Sequence, residues 1–296
     1  MKNFRNYFKK ENWGKGLLLS LGILLITFAS HAGSIKDVSQ NIEKVKSIDP
    51  PFQFALIGDS RDGEKVYTQL ISRILERKTD FIIHLGDMIT KPHGKEWQAF
   101  FEISRPIDRP FFPIVGNHDV GTTRLGEEMY RKQFVLPERK TYYTFRAGGG
   151  LFVILDSEKG KGRIIDEQRV WLDDVLSSSQ ERFKLLFIHR PFFLPIGSFK
   201  MGKGMDKYPF DRDDLHRLFV KAKVKAVFAA DDHRYDRREK DHIVYVITGG
   251  GGAPIYTLKE RGGYFHYVWI SVKGERMEGE VVDLEGEVQD RFSIEW

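Results

Sequence analysis

Short apolar runs alternate with amphipathic stretches along most of this chain. From Phe52 onward, each apolar run predicts a buried β-strand, and apolar residues spaced three or four apart after it predict a helix. Such spacing follows the first run at Val66, Leu70, Ile71, Ile74 and Leu75, and the second run at Trp97, Phe100 and Phe101. Strands that alternate with helices favour a layered α/β domain.

The same pattern continues through the second half of the chain. A helix is expected from about Asp166 to Leu176, and Asp211 is expected to cap another. From Tyr264 onward, an alternating sequence punctuated by turns predicts antiparallel strands that complete a second sheet. Further strands are predicted at residues 142–146, 151–156, 183–188, 224–229 and 243–247. Residues 33–51 are polar and predict a linker that leads into one domain, residues 52–296.

Three of the predicted strands end in the same way. An apolar run is followed directly by Gly58-Asp59, by Gly86-Asp87, and by Gly116-Asn117-His118-Asp119. Functional residues tend to lie on loops at strand ends, where a rigid sheet holds them in place. If these strands lie side by side in one sheet, Asp59, Asp87 and Asn117 meet at one edge of it.

The amino-terminal residues differ from the rest in charge. The formal net charge is +5, and residues 1–32 carry +4 of it, so that +1 remains for the rest of the chain. A nearly neutral body does not favour binding to a polyanion. No nucleic-acid-binding surface is therefore expected.

Residues 1–32 have the layout of an export signal. A basic stretch precedes an apolar run from Leu17 to Ala29, and Ser30-His31-Ala32 is a suitable cleavage site. The apolar run is shorter than the roughly 20 residues that span a bilayer. We expect a cleaved signal peptide and a periplasmic or secreted protein. The alternative is an uncleaved anchor at residues 17–32, and contact with a membrane is expected only in that case.

Residue types that bind metals or transfer protons recur at the strand ends. They are Asp59, Asp87, Asn117, His118, His189 and the group Asp231–His233. The chain contains no cysteine, so a thiolate metal site is excluded. Oxygen and imidazole ligands suit Mn, Fe, Zn or Co. Two such ions, bridged by one carboxylate, stabilise the attacking and the leaving oxygen of a displacement at phosphorus.

These residues carry a family resemblance. The order of motifs in the calcineurin-like metallophosphoesterases, which include purple acid phosphatases, is matched by Gly58-Asp59-Ser60-Arg61, Gly86-Asp87, Gly116-Asn117-His118-Asp119, His189 and Ala230-Asp231-Asp232-His233. The glycine run at 249–252 and the final hairpins resemble the exported, acid-phosphatase-like branch. The resemblance covers residues 52–296. It implies an α+β fold of four layers (α/β/β/α), with two packed mixed β-sheets flanked by helices and a dinuclear metal site at the sheet edge.

The resemblance also implies which residues hold metal. Asp59 and His233 would hold the first ion, Asp87 would bridge both ions, and Asn117 and His189 would hold the second. The implied cofactor is a pair of divalent ions, Mn, Fe or Zn.

For catalysis, the resemblance implies that His118 protonates the leaving oxygen while a metal-bound hydroxide attacks phosphorus. Asp119 would orient His118. The chain would then be an exported, metal-dependent phosphoesterase whose substrate is a phosphate monoester or diester. The alternative is a binding module of the same fold, catalytically weakened by a degraded second metal site.

Two positions depart from the family pattern. Arg61 stands where the first motif usually has histidine, and Asp231 stands where the last motif has a histidine ligand of the second ion. Asp231 is expected to be a ligand that favours Mn, Mg or Fe over Zn, and the alternative is a weakened second site. Arg61 is expected to bind a phosphoryl oxygen, and the alternative is a structural salt bridge.

A long loop, Phe192 to Tyr208, follows His189. It is rich in glycine, and Lys200 and Lys203 are expected to contact substrate. The alternative is a solvated, flexible loop. The glycine run at 249–252 does not open a helix, so we expect a loop that passes close to the site and not a nucleotide-binding turn.

Overall fold

A computed structural model describes residues 35–296. The predicted signal peptide or anchor lies outside these residues and stays a prediction. Within the described part, the chain forms two six-stranded β-sheets with helices between the strands. This confirms the predicted α+β fold with two mixed sheets.

The first sheet combines parallel and antiparallel strands. Its strands are Phe52–Ile57 (β1), Phe81–His84 (β2), Phe111–Pro113 (β3), His266–Lys273 (β10), Arg276–Asp283 (β11) and Val288–Glu295 (β12). Their spatial order is β12, β11, β10, β1, β2, β3. The first three strands are parallel to one another, and β10 joins β1 in antiparallel register.

The second sheet has a parallel centre with one antiparallel strand at each edge. Its strands are Tyr143–Ala147 (β4), Gly150–Ile154 (β5), Phe183–Phe187 (β6), Ala226–Ala229 (β7), Tyr235–Lys240 (β8) and Ile243–Thr248 (β9). Their spatial order is β4, β5, β6, β7, β9, β8. Strands β5, β6, β7 and β9 are parallel, and β4 and β8 pair antiparallel at the edges.

Helices connect the strands. They are Val38–Val45 (α1), Glu64–Glu76 (α2), Gly94–Ser104 (α3), Asn117–Val120 (α4), Arg124–Gln133 (α5), Asp166–Ser178 (α6) and Pro209–Lys221 (α7), with short 3-10 turns at Pro137–Arg139, Met205–Lys207 and Lys259–Arg261. Within residues 35–296, no helix is both long and apolar enough to cross a membrane.

The side chains of β5 show how the layers are packed. Phe152 and Ile154 belong to the core that also contains β1 and β2, whereas Leu151 and Val153 pack with residues of α6 and α7. Successive side chains of a strand point to opposite faces, so both faces of this sheet are covered. The four layers are therefore helix, sheet, sheet and helix.

Aromatic rings fill the space between the two sheets. Phe54 stacks on Phe81 of the same sheet, with ring centroids 5.1 Å apart. Across the interface, the ring of Phe152 meets Phe54 edge to face at 5.6 Å, and within its own sheet Phe152 stacks on Phe187 at 5.8 Å. Such pairs stabilise the interface beyond the burial of apolar area. They fix the distance between the sheets whose ends carry the functional residues.

Part of the predicted linker is a helix. In α1, Val38, Asn41 and Val45 are buried, and the Asn41 side chain donates to the Phe111 carbonyl of β3 at 3.2 Å. The three residues have helical spacing and form one buried face. Polarity on the other face of this short helix led to the linker prediction.

Two further predictions need correction. The strands after Tyr264 extend the first sheet through β10 and β1 and do not complete a second sheet, because alternation predicts a strand but not its partner. The helix predicted to be capped by Asp211 begins at Pro209, where proline is favourable at the first helical position. Asp211 lies in the first turn and forms an ion pair with Arg163.

Candidate metal centre

Three aspartates follow the carboxyl ends of strands from both sheets. Asp59 follows β1, Asp87 follows β2 and Asp231 follows β7, and all three are fully buried. Each has a positive backbone φ, at 58°, 55° and 62° respectively. Residues other than glycine rarely adopt this conformation, and such strain concentrates at functional sites. The backbone therefore turns sharply at each strand end and brings these carboxylates together.

The predicted ligands from the two sheets do converge. Asp59, Asp87 and His189 each offer a donor atom within 4.8 Å of the others. Asp59 Oδ1 lies 3.5 Å from His233 Nε2, and His189 Nε2 lies 3.7 Å from Asp231 Oδ1. These contacts join residues of both sheets in one buried cluster at the shared edge.

Backbone carbonyls orient the two histidines of this cluster. His189 Nδ1 donates to the Leu85 carbonyl at 2.8 Å, and His233 Nδ1 donates to the Pro254 carbonyl at 2.7 Å. Because a carbonyl only accepts, each Nδ1 carries a proton, and Nε2 is the nitrogen that a neutral ring would offer to a metal. A metal-ligating histidine typically has such an outer partner.

Unsatisfied atoms show where a cation fits. Within the cluster, Asp231 Oδ2 is buried without a hydrogen bond, and so are three atoms that the resemblance places around the first metal: Asp59 Oδ1, Asp87 Oδ2 and His233 Nε2. Leaving buried polar atoms without a partner is costly, and functional ions commonly account for such atoms in native proteins. Two carboxylate oxygens and an imidazole nitrogen are suitable ligands for a divalent metal. We call these three residues the first donor set, and they fit the first metal position.

The remaining predicted ligands contact one another. The Asn117 amide and Asp87 Oδ1 each lie 3.3 Å from His189 Nε2. In the orientation that satisfies both polar atoms of the amide, its nitrogen faces His189 Nε2 and lies 3.2 Å from Asp231 Oδ1. We call Asn117, His189 and Asp231 the second donor set.

Lys200 contacts the second donor set. Its Nζ lies 2.6 Å from Asp231 Oδ1, and the Lys200 side chain is 18% exposed. Lys200 thus forms an ion pair with a predicted metal ligand, and its contact with substrate stays a prediction. The loop carrying Lys200 lies over the cluster, because the ring of Phe199 meets that of Tyr256, which stacks on His233 at 5.3 Å.

The clustered carboxylates shift the pKa values of the histidines. Burial alone would lower the pKa of His189, but Asp87 and Asp231 raise it to about 9. Burial likewise opposes ionisation of Asp59, but His233 lowers the pKa of Asp59 to about 2. The raised pKa of His189 shows a strongly negative potential around its ring, which favours the binding of a cation.

Asp119 differs from its predicted role. Its carboxylate accepts hydrogen bonds from the backbone N–H groups of Asp87, Met88, Ile89 and Gly116, at 2.8–3.3 Å. His118 Nδ1 donates instead to the Thr90 carbonyl at 2.8 Å. Thr90 thus makes the orienting contact predicted for Asp119, and Asp119 fixes the loops that follow β2 and β3. The sequence held no signal for Thr90, because the contact uses only its backbone.

Arg61 forms the salt bridge that was the alternative prediction. It pairs with Asp62, and its Nε lies 3.5 Å from Asp87 Oδ2. It lines a cavity of about 300 Å³ beside the cluster. The guanidinium thereby places positive charge next to the predicted bridging carboxylate.

His118 and Lys203 line a larger cleft, of about 900 Å³, that also includes Asn117. The His118 side chain is 30% exposed, and its Nε2 lies 3.9 Å from Asp87 Oδ2. Its free nitrogen therefore borders both the cleft and the cluster.

The sequence motifs did not identify Arg190 as a residue of the site, although it directly follows His189. It binds Glu158 through two nitrogens at 2.7–3.0 Å and donates to the Lys203 carbonyl at 2.6 Å. Glu158 lies in an irregular loop after β5, so its partner could not be predicted from spacing. Through its hydrogen bond to the Lys203 carbonyl, Arg190 attaches the 192–208 loop to Glu158, which also lines the cleft.

Known proteins resemble part of the chain. The human serine/threonine-protein phosphatase CPPED1 is 29% identical over 201 residues, which are 61% of this chain and 62% of that protein. A probable glycerophosphodiester phosphodiesterase, GpdQ of Arcobacter nitrofigilis, is 28% identical over 130 residues, or 40% of this chain and 44% of that protein. The chain thus matches less than two thirds of the length of these relatives.

A solved structure shares the fold. The purple acid phosphatase PPD1 from yellow lupin seeds superposes with a TM-score of 0.69 at 21% identity, over 83% of this chain and 54% of that chain. The family model for calcineurin-like phosphoesterases matches residues 52–235. This match spans more than half of the chain and includes every predicted metal ligand, so the chain belongs to the calcineurin-like phosphoesterase family.

Proposed function

We propose that the chain is an exported, metal-dependent phosphoesterase that hydrolyses a phosphate monoester or diester. One observation carries the proposal. The free nitrogen of His118 lies 3.9 Å from Asp87, at the wall of an open cleft, beside buried donor atoms that lack hydrogen bonds. A proton donor, a cation site and room for substrate therefore lie side by side.

The first donor set would hold a divalent ion. When bound, this ion would supply Lewis-acid stabilisation of negative charge on the phosphoryl group and would activate water. The carboxylate oxygens of Asp59 and Asp87 favour Mn or Fe, and His233 also suits Zn. The family resemblance implies a second ion, and the second donor set is considered in the next subsection.

His118 would act as the general acid. Its Nδ1 donates to the Thr90 carbonyl, so that nitrogen keeps its proton throughout, and Nε2 is the atom that gains and loses one. When protonated, Nε2 can give its proton to the leaving oxygen of an ester in the cleft. The bond to Thr90 fixes the ring and thereby the direction of that transfer.

The cleft favours an anionic substrate. It is lined by four lysines that form no ion pair within residues 35–296, namely Lys91, Lys161, Lys203 and Lys207. The acidic residues of the same lining are engaged elsewhere: Glu158 binds Arg190, Glu127 binds Arg131, and Asp156 accepts from Thr141. The unpaired lysines attract phosphate and other anionic groups.

The names of the relatives support hydrolysis of a phosphoric ester, but they do not distinguish monoesters from diesters. One is named as a protein phosphatase, which cleaves monoesters, and another as a probable diester phosphodiesterase. We propose export from the basic and apolar pattern of residues 1–32. The mature chain would then act in the periplasm or outside the cell.

A second candidate function is binding without turnover. It is favoured by Arg61 and Asp231, which replace two expected histidine ligands and reduce the imidazoles available to the metals. In this case the cleft would bind a phosphorylated molecule and release it unchanged.

Turnover of an aryl phosphate and of a bis-aryl phosphate, each with Mn, Fe or Zn, separates these functions. Metal-dependent product release that is lost in Asp59→Asn supports the phosphoesterase. The ratio of the two rates identifies the ester class. Tight binding of phosphate with no product from either ester, at any metal, supports the binding module and overturns the enzyme.

A further inference from the structure

We propose that the Lys200 ammonium takes the place of the second divalent ion, so that the chain holds one divalent ion and one built-in cation. This inference rests on the proposed function, since it concerns the metals of the same site, and it is argued from the contacts within that site. The first donor set has three atoms without hydrogen bonds. In the second set Asp231 Oδ1 is engaged with Lys200 Nζ at 2.6 Å, and the one atom without a hydrogen bond, Asp231 Oδ2, lies 4.0 Å from an Arg190 nitrogen.

The charges of the two sets support this division. Asp231 adds a negative charge where the family pattern has a neutral imidazole, and Lys200 compensates that charge within the same chain. Arg190 adds further compensation, with its nitrogen 4.0 Å from Asp231 Oδ2. A divalent ion on Asp231 would meet the ammonium at close range, and like charges a few ångströms apart repel strongly in a buried site.

The second donor set is also partly satisfied without an ion. His189 Nε2 is 3.3 Å from both the Asn117 amide and Asp87 Oδ1, and Asp87 Oδ1 accepts from the backbone N–H of His118 at 2.9 Å. An ion at this position would have to break these contacts as well as the Lys200 pair. In the first donor set an ion would replace only two 3.5 Å contacts that are not hydrogen bonds, Asp59 Oδ1 with His233 and Asp87 Oδ2 with Arg61.

The loop holds Lys200 in place. The backbone N–H of Lys200 donates to Ser198 Oγ at 3.0 Å, and Ser198 is buried. Three residues further on, the Lys203 carbonyl accepts from Arg190, which is itself fixed by Glu158. Both sides of Lys200 are thus attached. A buried ion pair needs such additional hydrogen bonds to offset its loss of solvation.

The two departures from the family pattern then have one explanation. Arg61, with its Nε 3.5 Å from Asp87, and Lys200 on Asp231 place a fixed positive charge beside each altered position. An ammonium can stabilise negative charge on a phosphoryl group as a point charge, but it cannot activate water as a divalent metal does. The chain therefore depends on the first donor set for that step.

Manganese binding tests the proposal without any assay of activity. We would measure Mn²⁺ stoichiometry by calorimetry and metal analysis, and the electron paramagnetic resonance of the bound ion. The wild type should bind one Mn²⁺ per chain with the signal of an isolated ion. Lys200→Met, which keeps the length but removes the charge, should bind a second Mn²⁺ at least about tenfold more tightly than the wild type, with a spin-coupled signal.

Two further variants control the experiment. Lys200→Arg keeps the positive charge and should still bind one ion, whereas Lys203→Met removes a lysine of the same loop that does not contact Asp231 and should match the wild type in metal content.

Two tightly bound ions in the wild type would overturn the proposal. So would a single ion in a folded Lys200→Met. If Lys200→Met does not fold, the Mn²⁺ stoichiometries of the wild type and of Lys200→Arg still test the proposal. Inactivity of a one-metal wild type would refute the proposed function alone.

Discussion

The backbone N–H of Asp231 donates to Asp59 Oδ2 at 2.9 Å, and this bond joins the ends of strands from different sheets. Asp59 follows β1 in the first sheet and Asp231 follows β7 in the second. One carboxylate oxygen of Asp59 is thus used to hold the sheets together, and the other, Oδ1, is left for a cation. The centre is assembled across the interface between the sheets and is not a property of either one.

Removal of His118 should reduce turnover and leave the metal in place. His118→Ala is expected to lower kcat by about 10²- to 10⁴-fold, because the leaving oxygen loses its proton donor. The loss should be smaller for an aryl ester whose leaving group needs no proton. Steady-state kinetics on both kinds of ester, with metal analysis of the same sample, check this. A variant that loses its metal would show that His118 is a ligand.

Removal of one acceptor oxygen of Asp119 should destabilise the fold. Asp119→Asn is expected to lower the free energy of unfolding by about 3 kcal/mol, because the amide keeps only one acceptor oxygen and its NH₂ group then faces two of the four backbone N–H groups. Denaturant titration measures the change, and the exposed Asp49→Asn serves as the matched control. A stable Asp119→Asn with the kinetics of His118→Ala would instead support the predicted orienting role.

The glycine run passes the centre at close range, as predicted. A Cβ built on Gly249 lies 2.6 Å from Asp59 Oδ2 and 2.5 Å from the Asp232 carbonyl. Gly249→Ala should therefore displace the Asp59 carboxylate and weaken metal binding, measured as Mn²⁺ affinity. Gly94→Ala is the control, because its Cβ would meet no atom within 4 Å. Unchanged Mn²⁺ affinity in Gly249→Ala would show that Asp59 is not held by this loop.

The lysines of the cleft should affect KM. A double variant, Lys161→Ala with Lys207→Ala, is expected to raise KM for an anionic ester about fivefold, since exposed charge pairs each contribute up to about 1 kcal/mol. The effect should shrink at high salt because exposed charges are screened. Lys44→Ala with Lys221→Ala, outside the cleft, should leave KM unchanged. Equal KM values for both double variants at low salt would exclude this substrate contact.

His266 should make the fold sensitive to acid. It is fully buried, between Thr248 Oγ1 at 3.0 Å and the Tyr264 carbonyl at 2.9 Å, and burial lowers its pKa to about 4. The unfolded chain binds a proton below pH 6.5 and the folded chain only below about 4, so stability is lost as pH falls between these values. This single group accounts for about 3 kcal/mol of that loss.

Unfolding of the wild type and of His266→Gln, measured in chelator from pH 7 to pH 4, checks this. The free energy of unfolding should fall more steeply for the wild type. Chelator removes metal binding from the comparison. Parallel curves would mean that the acid sensitivity comes from other groups.

The sequence predicted the strands and the ligands more fully than the contacts around them. Apolar runs that end in glycine and aspartate revealed β1 and β2, because buried strands and sharp turns constrain composition strongly. The family motifs then placed Asp59, Asp87 and His189 in one site, and the structure brings them within 4.8 Å. These features are local, so a linear sequence records them.

Features that depend on distant contacts were not predicted. Lys200 reaches Asp231 because an irregular loop carries it there, and the path of such a loop leaves no periodic pattern in the sequence. Asp119 adjoins His118 in the chain but points toward backbone N–H groups, a direction that adjacency does not reveal. The partner of β10 could not be predicted either, because alternation identifies a half-buried strand but not the strand beside it.

The position of β1 has a consequence for how the chain is made. β1 lies between β2, which follows closely in the sequence, and β10, in which Val268 pairs with Leu56. During synthesis from the amino terminus, one edge of β1 therefore stays open until almost the whole chain has emerged. An open strand edge invites pairing with other chains, and contacts so distant in sequence form slowly. Asp59 directly follows β1, so the strand that positions this carboxylate has both of its neighbours only after β10 has been made.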